Sequence, residues 1–167
     1  MVGLIGIQKN DEFYMGEALK EAVKAFEEGE VPIGAVIVHE PPGENPRIIA
    51  RAHNQVELLR DATAHAEMIA ITQAEEHLEN WRLQFCTIYV TVEPCMMCCG
   101  AMVLSRVKRL CYGAKDEKAG AVESLGNLLA IPQLNHSIEV AAGIRQEECS
   151  QILSEFFQKV REGKRKS

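Results

Sequence analysis

The chain has 167 residues and a mass of 18.6 kDa, 47% hydrophobic and 25% charged, which suits one domain and leaves little room for a second. No apolar run reaches the roughly 18 residues of a membrane span, and residues 1–10 lack the basic-then-apolar order of an export signal, so a cytoplasmic protein is expected. Eighteen basic and 24 acidic residues give a net charge of −6, which excludes a general nucleic-acid coat protein but not a local basic patch.

Asp11 to Glu28 reads as a helix, with Phe13, Leu19, Ala22, Val23 and Phe26 as its apolar face and Gly29 as its stop. Val31 to His39 is a β-branched run and reads as a buried strand. Pro41, Pro42, Gly43 and Pro46 force a turn, and Arg47 to Ala52 returns as the second strand of a hairpin. A helix is expected over Ala64 to His77, with Asp61 or Thr63 as its cap. Thr87 to Val92 is a third strand, Cys95 to Leu104 a helix, Val107 to Tyr112 a fourth strand, and Gly113 to Gly126 a loop. Ser137 to Ala142 is a fifth strand, and Ile144 to Arg161 closes the chain as a helix with Cys149, Ile152, Leu153, Phe156 and Val160 on one face.

Strands alternating with helices predict an α/β fold: a three-layer α/β/α sandwich around a mixed sheet of about five strands. The hairpin supplies an antiparallel pair, and the β-α-β-α-β middle implies crossovers and parallel pairs. One domain is expected over 1–167, with a core of about 11–161 and a basic tail at 162–167. Lys159 to Ser167 carry five basic residues and one acid, either a frayed solvated tail or a steering patch for a polyanion.

Six cysteines in a chain without an export signal point to metal ligation or catalysis before disulfides. Cys86, Cys111 and Cys149 lie in apolar surroundings and read as buried thiols. Cys95 and Cys98 are different. They follow Pro94 at the start of a helix, and His65 and Glu67 stand 30 and 28 residues before Cys95 at the start of another. Zinc takes thiolates and imidazole in a tetrahedron, and a catalytic site keeps one position open for water. His65, Cys95 and Cys98 supply three ligands. Helix N-termini favour thiolate over thiol. Glu67 is then the carboxylate that takes a proton from the metal-activated water and hands it on. A structural zinc site would need a fourth ligand, for which Cys99 and His53 are candidates, and a redox dithiol would need no His-x-Glu partner. One geometric point stays open: side chains two apart on a regular helix point about 200° apart, so His65 and Glu67 converge only if the first turn is opened or if the site lies over the helix end.

His65, Glu67, Pro94, Cys95 and Cys98 reproduce the known zinc-deaminase signature H-x-E…P-C-x-x-C. Beyond it, EVPIGAVIV (30–38), AHN (52–54), TAHAE (63–67), EPCMMC (93–98), GAMVLSR (100–106), YGAKDEKAGA (112–121), LNH (134–136) and EFF (155–157) resemble the bacterial tRNA-specific adenosine deaminases in collinear order over about 12–161. The resemblance implies a cytidine deaminase-like fold, one Zn2+ per subunit and no nucleotide cofactor. It implies hydrolysis of adenosine to inosine at the anticodon wobble position by a zinc-activated water with Glu67 as proton shuttle. It also implies a homodimer, with RNA loops of the second subunit near each site. Asn54 would hydrogen-bond the target base, and Lys118, Asn135, Phe157 and Arg161 would hold the tRNA anticodon loop. A rim of Arg106, Lys108, Arg109, Lys115, Lys118, Arg161 and the tail lysines and arginines would offset the net acidity. Ala62 stands where the family usually has Pro, and the turn over 40–46 is longer than the family's. The alternatives are a free-base or nucleoside deaminase of the guanine or cytosine type, and a structural zinc-binding module; Glu67 separates the last, which has no use for it.

Overall fold

The computed structural model describes Gln8 and residues 10–166. Five strands form one open sheet in the order β2-β1-β3-β4-β5, with β1 Gly34–His39, β2 Arg47–His53, β3 Cys86–Val92, β4 Arg109–Ala114 and β5 Glu139–Ala142. The helices are α1 Asp11–Glu27, α2 Val56–Leu59, α3 Ala66–Leu78, α4 Met96–Leu104 and α5 Gln146–Lys166, with a 3-10 turn at Leu128–Ala130. The expected five-stranded mixed sheet between two helical layers is what forms, in the cytidine deaminase-like arrangement.

Strand alternation builds two cores. Ala35, Ile37, Ile88, Val90, Leu110 and Tyr112 face α3 and α4, where they meet Ala66, Ala70, Cys98 and Met102. Val36, Val38, Tyr89, Cys111 and Ala141 face the other way, against Met15 and Ala18 of α1 and Cys149 of α5. All three isolated cysteines, Cys86, Cys111 and Cys149, are buried free thiols, as read from their surroundings. Burial holds each of their pKa values above the usual thiol range, so none is a reactive thiolate.

The pairing refines the sequence reading. β1 is antiparallel to both β2 and β3, while β3-β4 and β4-β5 are parallel. The crossover through α3 therefore joins two parallel strands, β2 and β3, that are not neighbours: β1 lies between them. β2 carries one extra residue opposite Ile37/Val38, a bulge that leaves Ile49 without a register partner. β4 begins at Arg109, two residues later than expected, because Val107 N–H still closes the turn after α4 on the Met102 carbonyl.

α1 buries a different stripe from the one expected. Met15, Ala18, Ala22 and Ala25 face the sheet, and Phe13 and Val23 stay exposed. Small residues win because the sheet comes close; large ones lie to the side, toward a groove shared with Gln151 and Ile152 of α5. Gly29 ends the helix at φ 78°, a left-handed position that suits glycine. Neither Asp61 nor Thr63 caps α3. Asp61 Oδ1 instead accepts the Thr63 N–H and hydroxyl in a local turn, and His65 occupies the N-cap. The described part of the basic tail is helical, since α5 runs on through Lys166. Arg109 does not belong to a basic rim either. It is buried and grips Asp11 with two bonds of 2.7 and 2.8 Å, while Tyr89 donates to the same carboxylate at 2.8 Å.

Candidate metal centre

The site forms where β2, β3 and β4 run out at one end of the sheet, the place where open α/β sheets bind ligands. β3 leads through Glu93 and Pro94 into Cys95, which caps α4 in extended conformation (φ −73°, ψ 173°), with Cys98 in its first turn. His65 caps α3 in the same way (φ −77°, ψ 150°), with Glu67 just inside the helix. This resolves the 200° question. His65 lies outside the helix, so its ring turns back over the helix end toward Cys95 while Glu67 is buried beneath.

His65 Nδ1 stands 3.6 Å from both Cys95 Sγ and Cys98 Sγ, and the two sulfurs are 3.7 Å apart. A tetrahedral ion with bonds of about 2.3 Å to sulfur and about 2.0 Å to nitrogen requires separations of about 3.8 Å between sulfurs and about 3.5 Å from nitrogen to sulfur. The three donors fit zinc. Their chemistry fits as well: the Cys95 thiol is held far below its usual range, first by the Cys98 thiol donating to it and then by His65, while Cys98 is pushed up by the same contact and by burial. The trio thus favours one thiolate by itself, and a bound cation would displace the proton of the second thiol.

Among the described residues these three are the one such His/Cys/Asp/Glu group. Both proposed fourth ligands are engaged elsewhere. Cys99 Sγ lies against the Pro94 carbonyl at 3.7 Å, and His53 sits between Glu28 (2.8 Å) and Glu21 (3.5 Å). Three protein donors leave a fourth coordination position open, the pattern of a catalytic site. Glu67 is 4% exposed, and burial pushes its carboxyl up to about 7 against the opposing pull of its own backbone amide and His65. The first intrahelical bonds are Ile69 N–H to His65 and Cys99 N–H to Cys95. Among the described residues the amides of Ala66 and Met96 therefore have no partner at the site end of their helices.

The remaining candidates are placed unevenly. Asn54 follows β2 directly, is 6% exposed, and its side-chain amide has no protein partner among the described residues. Gln55 N–H bonds to the Ala64 carbonyl, which holds Asn54 beside the His65 segment. Lys118 is exposed on the loop after β4, and that loop reaches Cys95 through a bridge to Gly120. Phe157 and Arg161 lie on the exposed outer half of α5, at the end marked by Phe156 packing on Phe26 near the C-terminus of α1. That α1 end leads to Gly34, whose N–H bonds Thr91 at the site end of β3. Asn135 is exposed beside His136, whose Nε2 bonds the Val107 carbonyl just before β4, away from the ligand trio. Two buried carboxylates had no role in the sequence reading. Glu30 accepts the N–H groups of Glu57 and Leu58 and so holds α2, and Glu93 collects hydrogen bonds from the loop after β4. The available signal was a lone acid abutting an apolar run, which is also the pattern of a solvated strand end.

The MafB19-like deaminase family matches residues 9–161. The chain is 52% identical over 155 residues to a tRNA-specific adenosine deaminase of Bacillus subtilis (strain 168), covering 93% of each. The chain belongs to the tRNA-specific adenosine deaminase family. Similarity to the member from Aquifex aeolicus (strain VF5) is 50% over 150 residues, covering 90% of this chain and 95% of that one. A solved structure from work on A-to-I editing by tRNA:A34 deaminases at the wobble position superimposes with a TM-score of 0.78 at 44% identity, covering 84% of this chain and 99% of the other. Family membership and the His65-Cys95-Cys98 group agree on a hydrolytic deaminase.

Proposed function

We propose that this protein converts adenosine to inosine at the wobble position of a tRNA anticodon, by hydrolysis to inosine and ammonia. The observation that carries the reading is the open three-donor group over a buried Glu67, in a chain of the tRNA-specific adenosine deaminase family. His65, Cys95 and Cys98 would hold one zinc ion, which when bound acts as a Lewis acid that brings a water's pKa down toward about 7. Glu67, titrating near neutrality, accepts a proton from the attacking water as the water's oxygen bonds the carbon that bears the exocyclic amine, and delivers it to the ring nitrogen; the remaining hydroxyl proton passes to the amine, the exocyclic C–N bond breaks and ammonia departs. Asn54, buried beside the His65 segment with no side-chain partner among the described residues, reads the edge of the flipped-out base. Lys118 and Arg161 meet phosphates, and Phe157, 43% exposed, offers a ring for an unstacked neighbour. Asn135 joins them on family likeness alone.

Residues 1–167 act as a single deaminase domain in the cytoplasm, without a nucleotide cofactor. No helix among the described residues is long and apolar enough to cross a membrane. A homodimer is part of the proposal. Exposed Leu58, Leu59, Met96 and Leu104 give a second copy an apolar surface to cover. A free-base deaminase of the guanine or cytosine type is the competing activity. The test is inosine formation by the purified protein on an anticodon stem-loop with adenosine at the wobble position, run beside free adenosine, guanine and cytosine. Conversion of the RNA alone is expected. Conversion of a free base alone overturns the substrate and keeps the chemistry.

A further inference from the structure

Glu93 directly follows β3, is 3% exposed, and takes no part in the chemistry above. Its Oε1 accepts the backbone N–H groups of Val122 (3.2 Å), Glu123 (2.7 Å) and Ser124 (2.9 Å). Its Oε2 accepts the Asp116 N–H (3.0 Å) and the Ser124 hydroxyl (2.5 Å). Among the described residues no cation pairs with it. Five donors from one loop thus close around a buried anion, so residues 116–124 have the form of a nest whose ligand is a side chain of the protein itself.

That loop is a wall of the metal centre. Gly120 bridges to Cys95, and Ala121 N–H bonds the Pro94 carbonyl at 2.8 Å. At the loop's outer side Asp116 Oδ1 accepts the N–H groups of Lys118 and Ala119, which fixes the stem of Lys118. The carboxylate also dictates a residue: a Cβ at Gly120 would collide with Glu93 and with the Asp116 carbonyl.

We propose that Glu93 is a positioning residue for substrate binding, an internal anion that folds 115–124 against Cys95 and presents Lys118 to the RNA backbone. The proposal rests on the RNA reading for its substrate and on geometry alone for the loop. Glu93→Gln keeps the shape but places an amide donor against amide donors and removes the charge that gathers them. The expected result is one zinc per chain as in wild type, a KM for the stem-loop raised about tenfold, and a kcat within about threefold, since a charge-assisted bond lost at the loop weakens binding and leaves His65, Glu67, Cys95 and Cys98 in place. Hydrogen exchange of the substrate-free protein should speed at least about tenfold at Val122, Glu123 and Ser124, with α3 unchanged. Ser124→Ala, which removes one donor of the five, should show the same signature with a KM change of about two- to threefold, and decides the matter if Glu93→Gln does not fold. Unchanged exchange over 116–124, loss of zinc, or a fall in kcat at constant KM would each overturn the proposal. If the wild-type protein leaves the stem-loop unconverted, the RNA reading fails, and the exchange measurement still decides whether Glu93 holds the loop.

Discussion

Glu67 has the burial of a core residue, and the proposed reaction asks it to be a proton carrier. Burial alone would make any carboxylate costly, and here the cost places its titration near the pH at which it must both take and give a proton. Glu67→Gln keeps the volume and the hydrogen-bonding outline but cannot accept a proton. Single-turnover inosine formation should fall by about 10²- to 10⁴-fold, while metal analysis still finds one zinc, because His65, Cys95 and Cys98 remain. Wild-type-like turnover in that variant would remove Glu67 from the proton path. At this scale the sequence was highly informative for the donor group: the spacing of His65, Cys95 and Cys98 foretold that imidazole and two thiols would meet at one point. It said little about Glu93 or Arg109. A charged residue beside a strand looks the same whether it meets solvent, as Lys108 does, or a buried partner, as Arg109 does in Asp11.

At the scale of elements, most boundaries fell within two residues of the expected ones, and the departures have local causes. α3 starts at Ala66 because His65 is extended and serves as its N-cap; α2 was not foreseen because a four-residue helix held by a remote Glu30 leaves no periodic trace. α3 ends at Glu79 in the left-handed region (φ 49°), where a Cβ costs roughly 1 kcal/mol and glycine does not. Glu79 is exposed and makes no side-chain bond among the described residues, so Glu79→Gly should stabilise the protein by up to about 1 kcal/mol, read as a rise in the thermal midpoint. A lower midpoint would mean that the Glu79 side chain supports α3 in a way its geometry does not reveal.

Across the whole molecule, the Asp11-Arg109-Tyr89 cluster ties the first turn of α1 to β3 and β4. Burial pushes the Asp11 carboxyl up, but the Arg109 guanidinium, the Gln8 amide and the Tyr89 hydroxyl together hold it below its ordinary value. A carboxylate depressed in the folded state binds fewer protons than in the unfolded chain. Its contribution is therefore complete above about pH 4–5 and lost as pH falls through the folded value. Urea titrations should show wild-type stability falling through that acid range. Asp11→Asn, which strands a buried guanidinium, should cost about 3 kcal/mol at neutral pH, with the gap narrowing toward pH 3. A gap independent of pH would show that the ion pair is not what the acid removes.

What the sequence determined by itself was the chemistry and the layers. Ligand identity is local, hydrophobic period is local, and both survive translation into structure. The tertiary structure alone decided that β1 lies between β2 and β3, that α1 buries alanines while Phe13 stays exposed, that Nδ1 of His65 faces the sulfurs, and that Cys99 and His53 are taken elsewhere. Each of these depends on which distant segments share a space, and no window of neighbouring residues contains that information.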